Sequence, residues 1–205
     1  MSLISLIIPT LNEEESIQEL LFRMEKVAQE IKKHYSLEII IVDDNSSDRT
    51  VSEILAFGPG KNFNLRLIQR SEYGLASAVL AGFNLAKGDF FSVIDADLSH
   101  PPEILVSMTK KIGQAEIIIA SRLVKGGMVE NWPFHRKILS NVGIWLTRLI
   151  GVKAKDPLSG FFILEKKVVE NASLHPLGYK ILLEILLKGN YENFLEIPYL
   201  FKNRD

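Results

Sequence analysis

Three clusters of oxygen-bearing side chains each follow a short, apolar, β-branched run in this 205-residue chain. They are Pro9-Thr10-Leu11-Asn12-Glu13 after "LISLII", Asp43-Asp44-Asn45-Ser46 after "EIIIV", and Asp95-Ala96-Asp97 after "FFSVI". In an open parallel sheet, ligands bind beyond the carboxyl ends of the strands, so all three clusters stand where a site would form. Asp95 and Asp97 are spaced i, i+2, which puts both carboxylates on one side if the strand continues through Ala96. Crowded without a cation they would repel, and one would have a raised pKa. Mg²⁺ takes one or two carboxylates and completes its octahedron with phosphate oxygens and water. A D-x-D pair also arises in caps and solvated loops; its place after an apolar run is what favours a metal. Asp43 and Asp44 stand where an acid can hydrogen-bond ribose or base. The rival reading is that Asp44, Ser46 or Ser47 caps the following helix, and this is expected of at least one of them. Glu13 to Glu15 fall in a first helical turn, where the dipole favours acids, so most of that triplet reads as helix chemistry.

Other chemistries lack their residues. There is no G-x-x-x-x-G-K-[ST], and no G-x-G-x-x-G after the first strand, which disfavours P-loop and ordinary dinucleotide folds. H-E-x-x-H and G-x-S-x-G are missing, and His34, His100, His135 and His175 have no metal-ligand spacing. With no Cys, disulfides, thiolate metal sites and a cysteine nucleophile are excluded, which fits a reducing compartment. The N-terminus lacks a basic n-region and a small-residue cleavage site and is interrupted by Pro9, so it does not read as a signal peptide. The longest stretch without a charge, Tyr73 to Ala86, is 14 residues with two glycines, too short to span a bilayer as a helix. Net charge is −1, but residues 121–155 hold seven basic side chains against one acid. That region at net +6 reads either as a solvated helix face or as a surface for an anionic ligand or membrane.

The elements that would position these clusters alternate. Strands are expected at 3–8, 38–42, 65–68, 90–94 and 116–120. Helices are expected at 14–33, at 49–57, after Tyr73 with Gly88 as C-cap, and from Pro101 or Pro102 to Ile112. The first helix carries one apolar stripe from Ile17 through Leu20, Leu21, Met24, Val27 and Ala28 to Ile31. Such alternation argues an α/β fold, a parallel sheet with helices on both faces. A mixed apolar and basic helix at 132–151, a strand at 158–164, a helix at 179–189 and a final strand at 194–201 complete a chain of one domain without repeats.

Taken in order, "SLIIPTLNEEESI", "IIIVDDNSSDRT", "DADLSHPPE", "ASRLVKGG", "RKILS", "DPLSGFF" and "GYKILLEIL" resemble the family 2 glycosyltransferases, and more narrowly the dolichol-phosphate (polyprenol-phosphate) mannosyltransferases. The likeness runs from about residue 3 to 204; each motif is common, the ordered set specific. The resemblance implies a GT-A fold, Rossmann-like and mostly parallel, with a nucleotide-sugar half at 1–120 and an acceptor half at 121–205. It implies an Mg²⁺ or Mn²⁺ cofactor and inverting transfer of a hexose, mannose from GDP-mannose first, to a polyprenyl or dolichyl phosphate. By it Pro9, Leu11, Glu13, Val42 and Asp44 line the nucleotide pocket, and Asp95, Ala96 and Asp97 hold metal and diphosphate. Arg122, Arg136 and Ser140 receive the lipid phosphate, and Arg204 lies over the diphosphate or sugar. The family usually has Gln at the metal where this chain has Ser99, and often Tyr at Leu11.

A phosphate monoester has a second pKa of roughly 6 and is already anionic at neutral pH, so it needs no general base as nucleophile. It needs positive charge, which arginine supplies in bidentate form. The helix at 132–151 reads as interfacial, with core packing as its rival. The expectation is a cytoplasmic protein peripheral to the cytoplasmic membrane face, with no nucleic-acid partner. The rival functions are the same fold with UDP-glucose or a saccharide acceptor, a nucleotidyltransferase, and a nucleotide-binding module without turnover. In relatives the F-x-x-R of "FKNRD" continues into a glycine and a Ser-Lys pair; here the sequence stops at Asp205, which is expected of a trimmed or naturally short form.

Overall fold

The computed structural model describes residues 1–72, 74–130, 134–175 and 180–202, and of residues 134–141 the backbone alone. Its first half is β1 (Ser2–Thr10), α1 (Ile17–Ile31), β2 (Tyr35–Asp43), α2 (Thr50–Phe57), β3 (Asn64–Gln69), α3 (Leu75–Leu85), β4 (Phe90–Val93), α4 (Ile104–Thr109) and β5 (Ile117–Ser121). The second half is β6 (Met128–Glu130), α5 (Phe134–Leu149), β7 (Phe162–Glu165), α6 (Lys167–Glu170), α7 (Ile181–Lys188), β8 (Phe194–Pro198) and β9 (Leu200–Lys202).

Seven strands form one sheet in the order β3-β2-β1-β4-β7-β5-β8, and β6 pairs with β9 in a separate ribbon. β1 to β4 are parallel, and β1, β2 and β4 are largely apolar on both faces because helices cover both, while the edge strand β3 is only part-buried. On one face Ile4, Leu6 and Ile8 join Ile39, Ile41 and the whole buried stripe of α1, with Leu105 and Met108 of α4. On the other, Ile7, Ile40 and Val42 meet Val79 and Phe83 of α3 and Leu182 and Ile185 of α7. The strand pleat thus sorts neighbouring residues into two cores.

The sheet is mostly parallel, as expected, with β7 running antiparallel to both β4 and β5. Strand β7 is a return segment from the second half of the sequence, inserted between two strands of the first, and Ser92 Oγ donates to the Phe162 carbonyl at 2.8 Å across that join. The expected single strand at 194–201 is two. Pro198 sits opposite Ser121, the last residue of β5, and the Tyr199 N–H still donates to the Ser121 carbonyl at 3.2 Å; the chain then crosses to pair with β6, which sequence reading missed. Gly88 is not a C-cap: α3 ends at Leu85 and Ala86 is its C-cap. Gly88 instead lies against β1, where its N–H donates to Ser5 Oγ and a Cβ would stand 2.7 Å from the Leu3 carbonyl.

Candidate active site

The ends of β1, β2 and β4 lie side by side, and each is followed by a non-glycine residue in the left-handed region: Asn12 at φ 57°, Asn45 at 60° and Leu98 at 60°. Asparagine tolerates that region; leucine does so only under strain, and such strain collects at functional sites. These reversals fold the three polar loops back over the edge of the sheet. Asp95 and Asp97 therefore do not share a pleat, as the i, i+2 spacing suggested. β4 ends at Val93, and the chain turns through Ala96 and Asp97.

The loops are stitched to one another. Asp43 is fully buried and accepts from Thr10 Oγ1 at 2.9 Å and from Ser46 Oγ at 2.6 Å. Ser46 Oγ receives the Asn12 N–H, and Asn12 Oδ1 receives the Ser47 N–H. None of Asp44, Ser46 or Ser47 caps α2, contrary to expectation: Asp48 takes the Thr50 N–H, leaving the serines free to tie loop to loop. Glu14 is occupied with the Arg49 N–H and guanidinium, which lower its carboxyl pKa, and Glu13 takes the hydrogen bond of Ser16 Oγ.

Over this edge lies a cleft of about 400 Å³. Pro9, Leu11, Glu13, Asp44, Asp95, Ala96 and Asp97 of the expected residues line it, joined by Thr10, Gly74 and Leu75. Val42 does not: its side chain is buried in the core on the α3 side. Asp44 is held by Arg70, which donates from Nε to Oδ1 at 2.5 Å and from Nη2 to Oδ2 at 3.0 Å, and by the Gly74 N–H at 2.9 Å. Arg70 also reaches the Gly74 carbonyl and Ser77 Oγ, so it fixes both the acid and the loop that faces it.

Asp95 rests on Gly160, where any Cβ would overlap its carboxylate. His100 bonds the same group from Nε2 to Oδ2 at 3.2 Å. Burial pushes the Asp95 carboxyl pKa up, but the His100 bond and the charges of His100, Lys180 and Arg122 outweigh it and hold the pKa below the usual range. Asp97 Oδ1 accepts the Ser99 N–H at 3.0 Å. Ser99 is itself buried, and its carbonyl takes the Lys202 N–H, so its backbone supports Asp97 from below the cleft. Among the described residues no group of three His, Cys, Asp or Glu side chains comes together for a metal. Two hard carboxylates in one open cleft, one seated where only glycine leaves room, are chemically suited to a divalent cation that takes its remaining positions from phosphate and water.

Arg122 stands apart, clamped by Asp156: its N–H and Nε donate to Oδ2 at 2.9 and 2.8 Å, its Nη2 to Oδ1 at 2.7 Å. Its guanidinium carbon lies 5.3 Å from the centre of the Phe201 ring. Burial works against the charge, and the Asp156 bonds outweigh it, raising the guanidinium pKa. Arg136 and Ser140 fall in the part of α5, residues 134–141, whose side chains lie outside the described residues, as does the whole of Arg204. Sequence reading missed Arg70, His100, Asp156, Gly160 and Lys180 as site residues. Asp156 and Gly160 had a signal in "DPLSGFF"; Arg70 had none, being a lone arginine after a strand.

Comparison with known proteins adds sequence and structural relatives. The profile "Glycosyl transferase family 2" matches residues 5–172. The chain is 45% identical over 203 residues to a dolichol-phosphate mannosyltransferase of Pyrococcus furiosus, covering 97% of this chain and 56% of that protein. It is 37% identical over 190 residues to a dolichol-phosphate mannosyltransferase of Saccharomyces cerevisiae, covering 90% of this chain and 70% of that one. The chain thus spans little more than half of the Pyrococcus relative. The crystal structure of glucosyl-3-phosphoglycerate synthase from Mycobacterium tuberculosis in complex with Mn²⁺, uridine-diphosphate and phosphoglyceric acid superposes at a TM-score of 0.70 with 16% identity. That match covers 100% of this chain and 72% of the other.

Proposed function

The chain belongs to glycosyl transferase family 2 and has a GT-A fold, and from that premise we propose that it passes a hexose, mannose from GDP-mannose first, to the phosphate of a polyprenyl or dolichyl lipid. The observation that carries the reading is the cleft at the ends of β1, β2 and β4, with Asp44 and Glu13 on one side and Asp95 and Asp97 on the other. Residues 1–120 supply the donor half and residues 121–205 the acceptor half.

In this reading the base and ribose lie toward Pro9, Leu11 and Asp44, and the diphosphate toward Asp95 and Asp97. Asp95 and Asp97, with Ser99 behind them, would hold Mg²⁺ or Mn²⁺, which when bound neutralises charge on the departing diphosphate. An oxygen of the acceptor phosphate forms a bond to the anomeric carbon as the bond from that carbon to the diphosphate breaks. The electron pair leaves with the nucleoside diphosphate, and the configuration inverts. No proton needs removing from the acceptor, consistent with a cleft in which no histidine is among the described lining residues. Arg122, pre-set by Asp156, would bring the acceptor phosphate up against the anionic donor together with Arg136, and Arg204 would cover the diphosphate. Incubation with GDP-mannose, UDP-glucose and a short polyprenyl phosphate, followed by mass spectrometry, tests this: the lipid is expected to gain one hexosyl group from GDP-mannose. Gain from UDP-glucose alone would replace the donor. Hydrolysed or bound donor without a glycosylated lipid would remove the transferase reading.

Support for a lipid surface comes from α5. Its last two turns and the residue beyond leave Val142, Trp145, Leu146, Leu149 and Ile150 exposed, Trp145 at 58% and Leu149 at 64%. Arg148 and Lys155 lie beside Trp145. No helix among the described residues is long and apolar enough to cross a membrane; a face that mixes apolar and basic groups suits peripheral contact instead. Full burial of such side chains stabilises by about 1.5–3 kcal/mol each, so the pair Trp145→Asp and Leu149→Asp should weaken sedimentation with anionic vesicles at least about tenfold. Undiminished sedimentation would assign that face to something other than lipid.

A further inference from the structure

We propose that His100 is a positioning residue that fixes Asp95 for the divalent cation; the inference rests on the metal-dependent reading above. The ring is enclosed, its side chain 2% exposed. Tyr199 stacks on it at 5.3 Å between centroids with an interplanar angle of 25°, and Phe201 and Phe161 meet it edge-on at 5.3 and 6.0 Å. An imidazole is a poor choice for such an aromatic nest. Among the described residues its Nδ1 has no hydrogen-bond partner, a buried polar atom left unsatisfied. Such an atom costs free energy and calls for a reason, since a leucine or phenylalanine would fill the space without it. Among the described residues, the one polar bond the ring makes is Nε2 to Asp95 Oδ2.

That bond has a directional consequence. Gly160 permits the Asp95 carboxylate to lie flat against the backbone of the loop before β7, and His100 then holds Oδ2 in place. No hydrogen bond among the described residues engages Oδ1, which is left as the oxygen available to a ligand. The neighbouring acid is treated alike: Asp97 Oδ1 is held by the Ser99 N–H. The turn from Asp95 to His100 therefore supplies a clamp for each of its own carboxylates, and the strained Leu98 is the residue that bends the chain to do so. The Lys202 N–H bonded to the Ser99 carbonyl, and the rings of Tyr199 and Phe201, lock this clamp to the last described strand. Carboxylates that ligate metals depend on such outer partners for orientation, and losing one typically lowers affinity about 10–100-fold.

The test is calorimetric titration of Mn²⁺ into the protein with GDP present, comparing the natural chain with His100→Leu and His100→Gln. The Gln amide can reach Asp95 as Nε2 does; the Leu side chain fills the volume and donates nothing. Expected is an Mn²⁺ affinity weakened about 10–100-fold in His100→Leu and returned to within about threefold in His100→Gln. A folded His100→Leu protein that binds Mn²⁺ as the natural chain does would reduce His100 to packing and overturn the proposal, while leaving the metal reading intact. A natural chain that binds no Mn²⁺ overturns both. Should His100→Leu fail to fold, His100→Asn, whose amide is one carbon too short, replaces it. Tight binding by the Gln form and weak binding by the Asn form support the clamp, and equal binding rejects it.

Discussion

Asp97→Ala is expected to lower hexosyl transfer by about 10³-fold or more in kcat/KM while leaving the protein folded, because it removes one of the two carboxylates proposed to hold the cation in the cleft. The side chain is partly exposed and makes one local hydrogen bond, from the Ser99 N–H. Losing a bond of that kind costs about 0.5–1.5 kcal/mol. Relief of repulsion with Asp95 offsets part of this. In a chain of this size each kcal/mol moves the unfolding midpoint by about 2–4 °C, so the metal-free midpoint should shift by a few degrees at most. The two proteins should part when Mn²⁺ and GDP are added. A ligand at 100 times its dissociation constant stabilises by about 2.7 kcal/mol, so the natural chain rises in midpoint and Asp97→Ala does not. Full activity of the variant at saturating Mg²⁺ or Mn²⁺ would withdraw Asp97 from the metal site.

What the sequence made legible here was local. "LISLII", "EIIIV" and "FFSVI" announce buried strands by composition. The spacing from Ile17 to Ile31 announces the helix that covers them, and the polar clusters after each strand locate the cleft edge. What stayed hidden depends on pairings between distant residues. Nothing in "GFFIL" says that Phe162 will lie antiparallel to Val93, and nothing near Arg70 says that its guanidinium will close on Asp44, 26 residues earlier. The course of the chain at Ala96 was left open for a different reason: Asp95 and Asp97 share a face only if β4 continues, and the left-handed Leu98 has no propensity signal. A glycine such as Gly160 is equally mute until the carboxylate lying on it is seen.

The same limitation bears on Arg122, whose basic neighbourhood pointed to an anion while its nearest partner is an acid 34 residues away. Asp156 is fully buried and Arg122 is 11% exposed, and three hydrogen bonds join them. Replacing Asp156 by alanine removes both acceptor oxygens, and with them all three bonds, from a guanidinium packed against the Phe201 ring. Breaking a buried pair from one side costs about 3–5 kcal/mol, chiefly for the charge left behind. Urea unfolding of Asp156→Ala should show a loss of that size, and the acceptor KM should rise more than the donor KM because Arg122 is no longer aimed. Adding Arg122→Met separates the two causes. If the stranded charge dominates, the double variant recovers stability relative to Asp156→Ala alone, whereas loss of the bonds themselves would leave the two equally unstable. A single Asp156→Ala variant that loses less than about 1 kcal/mol would mean that Asp156 does not hold Arg122, and the pre-set acceptor arginine would have to be given up.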